Sequence, residues 1–404
     1  MSTVVLAYSG GLDTSICIHW LRHQKGMKVI AFSADLGQGG FLEPIAERAL
    51  KIGAESAHVS DLKRQFVEDY VFPSLKARAV YGNGYMLATA LGRPLIAEGM
   101  VQLAREHGCE YVAHGCTGKG NDQIRIEASV AALAPELKMI APLREWELKT
   151  REEEIEYAER HSIEVETTKK HPYSIDRNLW GVSIECGVLE DPWNAPPKDT
   201  HIMTTPLDET PPHETEVTID FEKGLPVGID GEAMDPVRII TVLDGLGGKQ
   251  CVGRVDVIED RTVGIKSREL YEAPAATILY AAQGALESLC LSKDILDFKK
   301  TLSVKYADLV YSGRWFCELR ESLDAFFESY QKHLTGNVRV RLFKGCCTVL
   351  GVKSPHALYE HDLATYGEED VFDHRAAEGF MKLWNLPIVT EARRHGLKTK
   401  DLLE

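Results

Sequence analysis

Over the first 165 residues, two hydrophobic periodicities alternate. Short apolar runs at 3–8 (TVVLAY), 27–34 (MKVIAFSA), 56–60 (SAHVS), 109–115 (CEYVAHG) and 137–142 (LKMIAP) read as strands. Between them lie stretches with apolar residues three and four apart, which read as helices. They cover 12–24, 41–53, a segment from about Asp61, 93–108, 122–133 and 150–162. Local punctuation agrees. Gly53 follows one helix, and Pro94 falls near the first turn of another. Asn121 is placed to cap the helix from 122, and Thr150 with Glu153 forms a capping box. Such alternation predicts an α/β domain, a doubly wound parallel sheet with helices on both faces. Sheets of this kind take ligands beyond the carboxyl ends of their strands.

After residue 165 the pattern changes. Residues 191–214 are rich in Pro, Asp and Thr without periodicity and read as a connecting loop. Hairpins follow around Lys223–Gly224 and Lys344–Gly345, each flanked by alternating apolar residues. Between them lie a hairpin-like segment, 253–267, and a helix-rich stretch, about 275–333. This half is α+β. The tail from about 365 carries an amphipathic piece, RAAEGFMKLWNL (375–386). The expected divisions are therefore 1–165, 166–364 and 365–404.

Composition narrows the partners. The 404 residues carry a net charge of −15, which argues against a phosphate-tracking nucleic-acid surface and against an anionic membrane. The chain enters an apolar strand at once, without a basic leader, and no apolar run approaches the roughly 18 residues of a membrane span. Nine cysteines, none in a CxxC pair, suggest reduced thiols and a cytoplasmic protein rather than a zinc or disulfide framework.

The chemistry is concentrated in two loops. In AYSGGLDTS (Ala7, Tyr8, Ser9, Gly10, Gly11, Leu12, Asp13, Thr14, Ser15) a strand ends at Tyr8 and a helix begins near Asp13. Glycines let backbone N–H groups turn toward an anion, and the helix N-terminus adds partial positive charge. Ser9, Thr14 and Ser15 add hydroxyls. No GK[ST] follows, so this is not a Walker loop. Asp13 can orient Mg²⁺ or its water, or simply occupy the helix's first turn. The second loop, HGCTGKGNDQIR (114–125), again joins a strand to a helix. There Asp122 can receive an ammonium group and Arg125 a carboxylate, a pairing that suits an amino-acid substrate. The same residues also suit a capping asparagine and a solvated helix start.

The first loop resembles the SGGxD[ST]S pyrophosphate loop of the ATP pyrophosphatases, which cleave ATP between the α- and β-phosphates. The resemblance then extends along the chain. Residues 7–15, 85–97, 114–125, 172–192, 253–275 and 303–315 are, in order, similar to motifs of the argininosuccinate synthases. That resemblance implies a PP-loop nucleotide-binding domain, an α+β synthetase domain and a C-terminal helix used in a homotetramer. It implies ATP with Mg²⁺, and citrulline and aspartate as small-molecule substrates, with no nucleic acid or membrane. Carried over by position, ATP would meet the 7–15 loop, Ala34 and Gly115. Aspartate would meet Thr117, Asn121 and Asp122. Citrulline would meet Tyr85, Asn121, Arg125, Ser174, Ser183, Glu259 and Tyr271. Where the family often has a serine, this chain has Ala90, and no role is carried to it.

The implied reaction adenylylates the ureido oxygen of citrulline, releases pyrophosphate into the first loop, and lets the α-amine of aspartate displace AMP. Positioning and charge stabilisation carry it. No strong general base is required, and His114 is as well explained as a structural strand-end residue. Two other readings share the loop: a tRNA-modifying ligase or thiolase, and a non-catalytic ATP-binding sensor. The charge and the cysteine spacing oppose the first, and turnover separates the second.

Overall fold

The computed structural model describes residues 2–40, 43–164 and 173–396. The chain divides into two units, Met1–His356 and Ala357–Glu404. In the first, β1 (Thr3–Ala7), β2 (Lys28–Asp35), β3 (Ser56–Asp61), β4 (Tyr111–His114) and β5 (Lys138–Ile140) form a parallel sheet ordered β3-β2-β1-β4-β5. Helices α1 (Leu12–His23), α2 (Glu43–Ile52), α3 (Ala88–Glu106), α4 (Asp122–Leu133) and α5 (Arg151–Arg160) belong to the same half of the chain. Strand β1 shows why the sheet is covered twice. Val4 and Leu6 pack with Ile18 and Leu21 of α1, whereas Val5 points the other way to Met100 of α3 and Ile126 of α4. The order reverses between β1 and β4. The loops following these two adjacent strands are the two chemistry-bearing stretches, so the topology puts them side by side.

The rest of this unit adds two antiparallel sheets. One comprises β6 (Ser174–Asn178), β7 (Gly181–Glu185), β11 (Arg254–Asp260) and β12 (Lys266–Glu272), in the order β11-β12-β7-β6. The other, β10-β9-β8-β13-β14, contains β8 (Thr215–Glu222), β9 (Leu225–Ile229), β10 (Glu232–Ala233), β13 (Gly336–Phe343) and β14 (Cys346–Lys353). Both expected hairpins are present. Lys223 and Gly224 (φ +48° and +76°), like Lys344 and Gly345 (φ +46° and +86°), have the positive φ pair of a twisted two-residue turn. The 191–214 segment is irregular apart from short 3₁₀ turns, and Glu272 tethers it by accepting the N–H groups of Ile202, Met203 and Thr204 at 2.7–3.0 Å. All nine cysteines are free thiols. In the second unit, helices His374–Trp384 and Leu386–Arg394 expose Phe380, Leu383, Trp384 and Ile388. Among the described residues no helix is long and apolar enough to cross a membrane.

Two local expectations are corrected. Pro94 lies inside α3, not near its first turn, because the preceding turn is held by other elements. Asn178 Nδ2 donates to the Ala88 carbonyl at 2.8 Å, and the Ala90 N–H donates to the Tyr85 hydroxyl at 3.1 Å. Asn121 does not cap α4 with its side chain, which binds Tyr311 and Thr262 instead. The Thr150–Glu153 capping box is present, and Gly53 ends α2 at φ +114°.

Candidate active site

A cavity of about 730 Å³ opens at the switch point between β1 and β4. Its first wall is the β1–α1 loop. Gly10 takes φ +80°, a conformation that L side chains rarely adopt. Ser9 Oγ and Thr14 Oγ1 lie 3.1 Å apart, and the Gly11 N–H donates to Ser9 Oγ at 3.3 Å. Among the described residues no side chain caps α1, and uncapped first-turn N–H groups at a helix start suit an anion. Gly115 closes the approach from β4: a Cβ there would come within 2.8 Å of Thr14 Cγ2.

The loop divides its labour. Ala7, Tyr8, Ser9 and Thr14 line the cavity, as do Ala34 and Gly115. Gly10, Gly11, Leu12, Asp13 and Ser15 do not. Leu12 is a core residue packed with Ala158 of α5. Ser15 Oγ lies 3.2 Å from the Tyr8 hydroxyl. Asp13 lies beside Glu154 of α5, whose carboxyl is pushed up to about 7 by burial and by the Asp13 charge.

The opposite wall is one face of the β11-β12-β7-β6 sheet together with the start of α4. Side chains two apart on a strand share a face. Ser174 and Asp176 on β6, Ser183 and Glu185 on β7, and Glu269 and Tyr271 on β12 all line the cavity. So do Glu259 near the end of β11 and Arg261 just past it. The ladder sets Asp176 opposite Ser183, and Ser183 opposite Tyr271. Tyr85 stacks on Tyr271 with ring centres 4.1 Å apart, and burial pushes its hydroxyl up to about 12. Glu259 accepts hydrogen bonds from the Tyr271 and Tyr311 hydroxyls, each at 2.7 Å.

Asp122 and Arg125 are paired with each other at 3.0 Å, so a ligand must share them. Arg93 of α3 donates to Asp122 Oδ2 at 2.8 Å and also to Asp176. Arg261 joins Glu185 and Glu269. Burial and the Glu185 charge push Glu269 up to about 8. The Thr262 N–H donates to Asn121 Oδ1 at 2.9 Å, which ties the β11–β12 turn to the 115–121 loop. His114 is buried. Its Nδ1 accepts the Cys116 N–H at 3.2 Å and its Nε2 meets Glu127 at 2.9 Å, so both ring nitrogens are engaged.

All the residues singled out in 85–271 thus face one cavity: Tyr85, Thr117, Asn121, Asp122, Arg125, Ser174, Ser183, Glu259 and Tyr271. Sequence reasoning missed Arg93, Asp176, Glu185, Arg261 and Glu269. For the last four a signal existed: each stands two residues from a chosen residue on a strand. Arg93 had none, because its partners come from distant elements.

The model of the Arginosuccinate synthase N-terminal HUP domain matches residues 3–164, and that of the Arginosuccinate synthase C-terminal domain matches 173–390. The chain belongs to the argininosuccinate synthase family. It is 52% identical to the argininosuccinate synthase of Chlorobium luteolum, over 98% of this chain and 99% of that protein. The argininosuccinate synthases of Pelotomaculum thermopropionicum (97% and 98% covered) and Moorella thermoacetica (96% and 95%) are each 51% identical to it. A solved structure from Methanocaldococcus jannaschii, described as a predicted subunit of tRNA methyltransferase, aligns with 39% of this chain and 76% of its own. Its identity of 20% and TM-score of 0.28 make the likeness too loose to argue from. As a member of the argininosuccinate synthase family, the chain is a carbon–nitrogen ligase of arginine biosynthesis that uses ATP.

Proposed function

We propose that this cavity joins L-citrulline to L-aspartate through a citrullyl-adenylate, with AMP and pyrophosphate as the other products. The observation that carries the reading is the opening of an uncapped, glycine-turned loop and a zwitterion-lined sheet face onto one cavity. The loop wall receives the triphosphate, and the charge that develops on the leaving pyrophosphate falls on first-turn N–H groups and on the Ser9 and Thr14 hydroxyls. Ala34 and Gly115 bound the nucleoside side. Tyr85, Arg125, Ser174, Ser183, Glu259 and Tyr271 hold citrulline with its ureido oxygen toward the α-phosphorus. Thr117, Asn121 and Asp122 hold aspartate. Bringing three reactants together supplies much of the acceleration.

Among the described residues, no carboxylate faces the loop end of the cavity, and Asp13 is turned to Glu154. The donor set therefore fits an ion carried by the phosphates: Ser9 and Thr14 would meet the water shell of Mg²⁺, which neutralises phosphate charge when bound. Thr89, hydrogen-bonded to Ser183 at 3.2 Å, supplies a hydroxyl beside Ala90. The protein acts in the cytoplasm as a homotetramer, and the apolar helices of the second unit are the surface for that assembly.

Purified protein with ATP should release AMP and pyrophosphate only when both amino acids are present, and should exchange labelled pyrophosphate into ATP with citrulline alone. Release of ADP and phosphate would overturn the reading. Binding of ATP without turnover would make the chain a sensor.

A further inference from the structure

Two carboxylates on the substrate wall, Asp122 and Asp176, share one guanidinium and are otherwise unlike. Asp122 is spent on both sides: Oδ2 accepts from Arg93 and Oδ1 from Arg125. Asp176 accepts from Arg93 through Oδ2 alone, and its Oδ1 has no hydrogen-bond partner among the described residues. Asp176 also occupies a junction. It shares a strand face with Ser174 and lies opposite Ser183 in the ladder, on the side assigned to citrulline. Through Arg93 it reaches Asp122, on the side assigned to aspartate. The new C–N bond must form between these two sides.

We propose that Asp176 is the catalytic proton acceptor for the α-ammonium group of the attacking amino acid. The inference rests on the citrulline and aspartate assignments above. In the step, Asp176 Oδ1 takes one proton from the ammonium, and the freed lone pair forms the C–N bond to the activated ureido carbon. The nitrogen then loses a second proton to water. The C–O bond to AMP breaks with its electron pair leaving on the phosphate oxygen, and the product guanidinium keeps one positive charge. Arg93 makes this tolerable, because it stays paired with Asp122 when Asp176 becomes neutral. Asp122 cannot trade places, since its protonation would cost two guanidinium contacts.

The surroundings agree with this division. Facing Asp176 are Arg93 from α3, Asp122 and Arg125 from α4, and the Cys116 thiol; Glu185 on the neighbouring strand is taken up by Arg261. Burial pushes the Asp176 carboxyl up, Arg93 only partly offsets it, and the Asp122 charge adds to the rise. Burial also acts on Asp122, but Arg93 and Arg125 outweigh it and hold that group below the usual range.

Asp176→Asn keeps the shape and removes the proton acceptor. The ratio of argininosuccinate formation to citrulline-dependent ATP–pyrophosphate exchange should fall about a hundredfold. Hydroxylamine, a nucleophile largely neutral at pH 7, should recover adenylate turnover when it replaces aspartate, and Asp176→Glu should recover part of the ratio. The exchange reaction also reports a folded site. An equal loss of both reactions, an unchanged ratio, or failure of hydroxylamine to recover turnover would overturn the proposal. Absence of citrulline-dependent exchange in the parent protein would instead overturn the functional reading beneath it.

Discussion

The two walls of the cavity solve different problems with different materials. The loop wall offers backbone N–H groups and hydroxyls, and no carboxylate among the described residues. The far wall carries Asp122, Asp176, Glu185, Glu259 and Glu269 against Arg93, Arg125 and Arg261. A polyphosphate needs donors that cannot repel it, and a helix start with glycines provides them without a side chain to reorganise. Amino-acid substrates need both signs held in register, and only paired side chains provide that. Such pairs are costly to break, because removing one partner strands a buried charge.

The largest effect should therefore come from the far wall. Arg93→Met leaves Asp122 and Asp176 facing each other without their shared cation. A loss of about 3 kcal/mol or more is expected for such a break, which is about a hundredfold in kcat/KM for aspartate. The KM for ATP should change much less. Steady-state kinetics with each substrate varied in turn would check this. An equal change in both would mean that the walls do not act separately.

Gly115→Ala tests the loop wall in the same assay. The added methyl must displace Thr14, whose Cγ2 would be 2.8 Å away. Overpacking of this kind costs about 1–3 kcal/mol, so a rise of roughly tenfold or more in the KM for ATP is expected. Citrulline and aspartate should be affected less. The opposite ranking would transfer Gly115 to the far wall.

The same contrast explains what the sequence disclosed. The loop wall is local: strand, glycine turn, hydroxyls and helix start fall within residues 3–23, and each leaves a signal in neighbouring residues. The parallel sheet, the capping box and the Lys–Gly hairpins were legible for the same reason. The far wall is assembled across the chain. Asn121 reads as a cap from its neighbours, yet its partners are Thr262 and Tyr311. Pro94 reads as a helix start, yet Asn178 and Tyr85 hold the turn before it. Ser174, Ser183, Glu259 and Tyr271 came from motif resemblance, and no periodicity in the chain announced that they share a sheet face. Once β6, β7, β11 and β12 are known, the two-residue period brings in Asp176, Glu185, Arg261 and Glu269 at once.

The smallest expected effect lies behind the loop wall, where α1 packs on α5, and it concerns stability. His19 Nδ1 meets the Tyr157 hydroxyl at 2.8 Å, with the His23 and His161 rings 4.2 and 4.4 Å away. Burial first, then the charges of His23, His161 and Arg22, push its imidazole down to about 4. The unfolded chain then takes up this proton before the folded one. The His19 contribution is present above about pH 6.5 and is lost as pH falls toward 4. Glu154 has the opposite sign. Its carboxyl is raised to about 7, so its contribution is present below about pH 4.5 and is lost as pH rises through 7. Between pH 5 and 7 the two oppose each other. His19→Asn should shift the slope of Tm against pH toward greater stability at pH 5, and Glu154→Gln toward greater stability at pH 7, each by about 1–2 °C. Differential scanning calorimetry of the two variants against the parent reads both signs. Slopes that move together would show that α1 and α5 do not hold these groups as a coupled support. Opposite slopes with kcat unchanged would show that this support bears on the stability of the loop wall and not on its chemistry.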